Sequence, residues 1–320
     1  MGSPLLALKT ILNAQDILSS FYQLNCFFSE ADSISADELY THTEHLVKSA
    51  NIPNLEIFIR QEAWSHTDKK LNELLEYSTW GLLFVDPFAN EVELDNLFSL
   101  IKEKCKTIDF MLFINTQSLR RIAGLKPQNI LIADFLGISS DKVNEIIKDD
   151  GLIRKALQDR FEATGKDYIL NASIPTSRNE KLTHSDNFQL ILGTNSIGVS
   201  DAFLTSYIES LKLFKPDIPL NLFNTLENDI IILVKKFKEL TINKIVQELY
   251  KNNNSWKYAD LHNLPTTDNI HTAINKLIKS DTISFFSPKK YINKNGTLAK
   301  AAFKKNSRMK EILIKKKLIT

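Results

Sequence analysis

The chain has 320 residues, 43% hydrophobic and 24% charged, with a formal net charge of +2. That is an ordinary globular balance, with room for one large domain and a small one. It holds no run of roughly 18 uncharged apolar residues such as a membrane span needs, and the opening MGSPLLALKTILNAQ has no secretory-signal pattern. Cys26 and Cys105 form neither a zinc set nor a disulfide framework. Buried free thiols in a cytoplasmic protein are expected. The six histidines form no convincing metal set.

Helix and strand signals alternate up to about residue 164. SPLLALKTILNAQ opens with Ser3 as N-cap and Pro4 at the first helical position. LNCFFSEAD reads as a strand. Ser35 followed by Glu38 makes a capping box, so a helix follows. LEIFIR is a strand and DKKLNELLEY a helix. WGLLFVD is apolar on both faces, as a central parallel strand should be. ELDNLFSLIKEKC is helical, DFMLFIN is a second two-faced strand, and helices are expected near 128–136, 140–149 and 151–163. This alternation predicts an α/β fold with a mostly parallel sheet. KDYILNASIP and NFQLILGTN then read as an antiparallel hairpin that closes the sheet, and a helix is expected at about 198–213.

The loop KPDIPLN marks a domain boundary. Beyond it, LENDIIILVKKFKEL, a helix capped by Thr241, and TTDNIHTAINKLIKSD make three helices. TISFFS and KKYIN read as a two-stranded wing, which completes a winged-helix layout. The expected organisation is a domain at 1–215, a winged-helix-like domain at 223–292 and a basic, partly helical tail at 293–320. From Lys289 to Thr320 there are ten lysines and one arginine against one acid, Glu311, so residues 1–288 carry a net −8. A basic end on an acidic body suits an anionic partner, or is simply a solvated end.

Ligands of open α/β sheets bind beyond the carboxyl ends of the strands. The residues there are Glu30, Gln61, Glu62, Asp86-Pro87-Phe88 and Asn115. Glu30 is placed to bind the hydroxyls of a ribose. Asp86 can accept a hydrogen bond from a substrate amine, Pro87 can present its carbonyl in a fixed turn, and Phe88 can stack on a flat ring. An Asp-Pro pair at a strand end is also a common turn or helix cap. In the third C-terminal helix, His271, Asn275, Lys276 and Lys279 fall on the polar side, and with Lys289 and Lys290 they are candidates to meet nucleic acid. The same helices could instead serve protein contacts.

The segments GSPLLALKTIL, CFFSEAD, WGLLFVDPFAN and IDFMLFIN, followed by DYILNASI and FQLILGTNSIGVSDAF, occur in an order that resembles the three-Cys-motif partner (TcmP) family. The resemblance covers nearly the whole chain. It implies a Rossmann-like sheet of the S-adenosylmethionine-dependent methyltransferase type, with S-adenosylmethionine as cofactor and Glu30, Gln61 and Glu62 on the cofactor side. Asp86, Pro87 and Phe88 then stand where amino-group methyltransferases carry an Asp-Pro-Pro-Tyr-type motif, with one proline rather than two. The family carries a segment resembling DLFAGPG just before GSPLLAL. Here the chain reads Met1-Gly2-Ser3-Pro4, so a central strand and its Gly-rich loop are expected to be missing and cofactor binding to be weak or absent. Three functions follow as expectations: a methyltransferase acting on nucleic acid or a nucleotide-like substrate, a non-catalytic nucleic-acid-binding subunit, or a partner for a three-Cys-motif protein.

Overall fold

The computed structural model describes residues 3–13, 23–50, 54–62, 69–78, 80–86, 94–103, 108–123, 129–174, 176–178, 181–183, 188–214, 226–251 and 265–317. The chain is mixed α/β, with small parallel and mixed sheets. It divides into two compact units, Met1–Thr79 and Trp80–Thr320.

The first unit runs α1 (Ser3–Asn13), β1 (Leu24–Ser29), α2 (Ser33–Ala50), β2 (Leu55–Arg60) and α3 (Lys69–Tyr77). β1 and β2 pair in parallel, Leu24 with Leu55 through Ser29 with Arg60, and α2 is the crossover between them. The start of α2 differs from the expected capping box. The Asp32 carboxylate accepts the Ser35 N–H at 2.8 Å, so Asp32 caps the helix. That bond holds the Asp32 carboxyl below its ordinary pKa. Ala36, Leu39 and Thr43 form the buried face of α2, and Leu71 and Leu75 that of α3, each at helical spacing.

Cys26 is buried in the middle of β1. Burial pushes its thiol up from 9.0 to about 11, because the thiolate would lose its hydration. Iodoacetamide at neutral pH is therefore expected to label Cys26 only after unfolding. Rapid labelling of Cys26 in the native protein, told apart from Cys105 by peptide mapping, would contradict this placement. Between pH 9 and 11 the unfolded chain loses this proton before the native one does, so this group lowers native stability as pH rises through that window.

The second unit begins with β3 (Gly81–Val85), α4 (Leu94–Glu103), β4 (Ile108–Asn115), α5 (Thr116–Ala123) and α6 (Asn129–Leu136). A 3-10 turn at Ser140–Lys142 leads into α7 (Val143–Ile146) and α8 (Asp150–Glu162). Then come β5 (Tyr168–Ser173), β6 (Thr176–Arg178), β7 (Lys181–Thr183), β8 (Phe188–Thr194) and α9 (Ile197–Phe214). The sheet order is β3-β4-β8-β5. β3 is parallel to β4, and β8 is antiparallel to both of its neighbours. The expected closing hairpin is therefore present, extended by the small β6–β7 ribbon. β4 is the buried middle of this sheet, with Ile108, Phe110, Leu112 and Ile114 inside.

β3 is the strand expected at the centre of the sheet. Among the described residues it pairs only with β4, and Leu82 and Phe84 remain 49% and 43% exposed. Trp80 is tied down by donating its indole N–H to Asp109 Oδ2 at 3.0 Å. In the first unit, likewise, β1 pairs only with β2 among the described residues.

The chain continues with α10 (Leu226–Phe237), β9 (Glu239–Thr241), α11 (Ile242–Lys251), α12 (Thr267–Lys279) and β10 (Ile283–Phe286). It ends with 3-10 turns at Lys289–Tyr291 and Lys300–Phe303, α13 (Asn306–Lys310) and β11 (Leu313–Lys316). Thr241 and Thr266 cap α11 and α12 by accepting the N–H of Lys244 and Asn269. The expected boundary at 215–223 lies outside the described residues. The elements that follow it share one core with the sheet: Tyr168, Leu170 and Leu192 pack in the same cluster as Ile230, Ile270 and Ile314.

Two expectations for this region are corrected. The partner of β10 is β11, with Ile283 opposite Lys316 and Phe286 opposite Leu313, and the sheet order is β10-β11-β9. Lys289–Tyr291 forms a 3-10 turn instead of a wing strand, because Pro288 has no N–H for a ladder. Residues 293–317 are also no loose tail. Leu298, Ala302, Phe303, Met309, Ile312 and Ile314 are buried, and this apolar area holds the segment down against its high charge.

Candidate functional site

In the first unit the parallel register brings Glu30, Gln61 and Glu62 together at the carboxyl ends of β1 and β2. The Glu30 N–H donates to Arg60 O at 3.0 Å, and Ser29 Oγ donates to Glu62 O at 2.6 Å. Glu30 is half-buried, and its Oε1 accepts the Asp32 N–H at 3.1 Å. Gln61 and Glu62 are exposed. This cluster offers acceptors for hydroxyl groups. Among the described residues the glycines with positive φ are Gly137, Gly165 and Gly296, none of them at a strand end of β1 to β4, where glycine would let a backbone come close to a methionine moiety. No methyl-transfer step is derived from the described residues.

A cavity of about 630 Å³ lies elsewhere in this unit, along the flanks of α2 and β2. Its lining includes Tyr40, Thr43, Lys48, Phe58, Arg60 and Lys70. The Lys70 ammonium sits 4.5 Å from the Phe58 ring centroid, and the buried Thr43 hydroxyl has no hydrogen-bond partner among the described residues. Glu30, Gln61 and Glu62 do not line it. The sequence reading missed this cavity, for which the spacing of Tyr40, Thr43 and Val47 on one face of α2 was the available signal.

In the second unit, Asp86 directly follows β3. Its side chain is exposed overall, yet partial desolvation still raises the carboxyl pKa above its ordinary value. Pro87 and Phe88 lie outside the described residues. Asn115, at the same end of the parallel pair, is committed to structure: its Oδ1 accepts the Ser118 N–H at 3.1 Å and caps α5.

The C-terminal candidates separate into two groups. His271 and Asn275 are half-buried and hold the loop after the 3-10 turn. Asn275 Nδ2 donates to Leu298 O at 3.0 Å, and the Leu298 N–H donates to Asn275 Oδ1 at 2.9 Å. His271 Nε2 lies 2.9 Å from the same Leu298 carbonyl, and its ring meets Phe303 edge-on at 5.0 Å. These two side chains are therefore not the outward-facing readers expected from helical spacing. Lys276 is exposed and paired with Glu227 at 2.9 Å. Lys279, Lys289 and Lys290 are exposed, with no carboxylate partner among the described residues.

The same holds for Lys294, Lys304, Lys305, Lys310 and Lys316, whereas Lys300, Lys315 and Lys317 pair with Asp268, Glu239 and Asp281. No group of three His, Cys, Asp or Glu among the described residues could hold a metal. No described helix is long and apolar enough to cross a membrane. Comparison with protein-family models, with characterised proteins and with solved structures gave no match.

Proposed function

We propose that the chain is a methyltransferase-type scaffold, of the three-Cys-motif partner kind, whose winged-helix-like C-terminal part binds nucleic acid. The observation that carries the binding is the set of exposed lysines without carboxylate partners among the described residues, running from Lys279 through Lys289, Lys290 and Lys304 to Lys316. Such a surface gains by displacing condensed counterions from a phosphate backbone. The scaffold reading is supported by the order β3-β4-β8-β5, a parallel pair closed by an antiparallel strand, which is how sheets of that type end. On this reading Asp86 stands at the acceptor side of the sheet, S-adenosylmethionine is the cofactor implied, and the protein works in the cytoplasm.

Fluorescence anisotropy with a labelled oligonucleotide of about twenty nucleotides tests the binding. Binding that weakens with salt is expected, and K289E/K290E should weaken it by about tenfold or more. No binding at low salt would overturn the reading. A second reading, a protein-partner subunit, is favoured by β3, which among the described residues pairs with β4 alone and leaves Leu82 and Phe84 exposed, since apolar strands invite strand addition. A nuclease-resistant complex with a three-Cys-motif protein on size exclusion would favour that reading over the first.

A further inference from the structure

We propose that the nucleic acid bound here is single-stranded, with a base stacked on Phe286 and its backbone held by Lys289, Lys290 and Arg308. The inference rests on the nucleic-acid reading above and specifies its ligand. Phe286 ends β10 with 70% of its surface exposed, which leaves the face of its ring open to stack on a flat group. Pro288 is itself extended, with φ −54° and ψ 139°, and Lys289 and Lys290 open the 3-10 turn that follows. Three residues reach at most about 10 Å, so the backbones of Phe286 and Lys289 lie within the span of a few nucleotides.

A second aromatic ring follows in the chain, the buried Tyr291. The Lys290 ammonium lies 4.9 Å and the Arg308 guanidinium 5.9 Å from the Tyr291 ring centroid. Two cations thus converge on one buried ring, five residues along the chain from the exposed Phe286. No Asp or Glu occurs between Thr282 and Lys310, so nothing in this stretch repels a phosphate. Exposed rings interleaved with cations are the platform that single strands use, because an unpaired base offers its face.

A duplex would need something different, a helix with a bare flank to enter the major groove. On α12 one polar flank is taken. Asn275 and His271 are engaged with Leu298, the ring of His271 packs on Phe303, and Asp268 pairs with Lys300 at 2.6 Å. Residues 298–303 therefore cover one flank of α12, and on the stripe left exposed, Asp268, Thr272, Lys276 and Lys279, the first and third are already paired, with Lys300 and Glu227.

Anisotropy titrations with a labelled single strand and with a hairpin duplex of the same sequence decide the matter. The single strand should bind more tightly. F286A should weaken it by about tenfold, F286W should retain it, and duplex binding should not respond to either change. Because Phe286 is exposed, thermal unfolding of F286A should match wild type. A preference for duplex, or single-strand binding indifferent to F286A, overturns this inference and leaves the nucleic-acid reading standing. Failure of both ligands to bind overturns both. Phe286-dependent binding to anionic phospholipid vesicles, with no oligonucleotide binding, would overturn both and assign the patch to a lipid surface.

Discussion

Gly193→Ala is expected to destabilise the protein by about 2–3 kcal/mol. Gly193 lies on β8 directly opposite Phe110 on β4, and a methyl group there would land on the Phe110 ring. That ring has nowhere to go. It is 1% exposed and stacks on Phe161 at 5.4 Å, and Phe161 is itself held edge-on by Phe98 at 5.0 Å. Relief must come from the backbone or from an off-rotamer ring, and both are costly. Urea denaturation measures the loss. Adding Phe110→Leu should return part of it, giving a coupling energy that distant sites would not show. If Gly193→Ala lies within about 0.5 kcal/mol of wild type, the β4–β8 register is wrong.

Tyr168→Ala should cost about 3–5 kcal/mol, and the loss should be felt across the whole second unit. Tyr168 is buried on β5, its ring meets Tyr250 edge-on at 5.6 Å, and its hydroxyl donates to Asn243 Oδ1 at 2.8 Å. It belongs to the cluster that also contains Ile230, Ile270 and Ile314, so it joins the sheet to the C-terminal helices. Burial pushes its phenol well above the ordinary range, so the bond to Asn243 is made by the neutral hydroxyl at any ordinary pH. Tyr168→Phe should cost less, about 1–3 kcal/mol, from taking that donor away from the buried Asn243. A second clasp lies nearby: Asp201 on α9 accepts the Thr267 N–H at 2.9 Å and also its hydroxyl, at the start of α12. Hydrogen exchange should show β5, β8 and α10–α12 opening together in Tyr168→Ala. Loss of protection confined to either side would contradict the shared core.

Much of the α/β part was legible because its strands are short apolar runs separated by amphipathic helices, a local signal. The meeting of Glu30 with Gln61 and Glu62 followed from parallel pairing of two such runs. Local signals failed where a distant segment decided the outcome. α5 was missed because β4 runs into it without a turn, Asn115 serving as last strand residue and helix cap at once. Asp32 outcompeted Ser35 as a cap because its carboxylate sits one position before the helix. β11 reads LIKK, too short and too charged to signal a strand, and it forms one only because β9 and β10 lie on either side. His271 and Asn275 fall on the polar side of α12 by periodicity, yet Leu298, more than twenty residues on, claims them. The lysines at 289 and 290 stayed legible as a surface because no carboxylate among the described residues folds onto them.

The affinity of the wild-type protein for a single-stranded oligonucleotide, followed as salt is raised, tests the nucleic-acid reading most directly. If Lys289, Lys290 and Arg308 each meet a phosphate, the logarithm of the affinity should fall linearly with the logarithm of salt. The expected slope is about −2, from roughly −0.7 per contact on a single strand, and it should shrink toward −1 in K289E/K290E. A slope near zero, or one that the double substitution leaves unchanged, would contradict nucleic-acid binding at this surface.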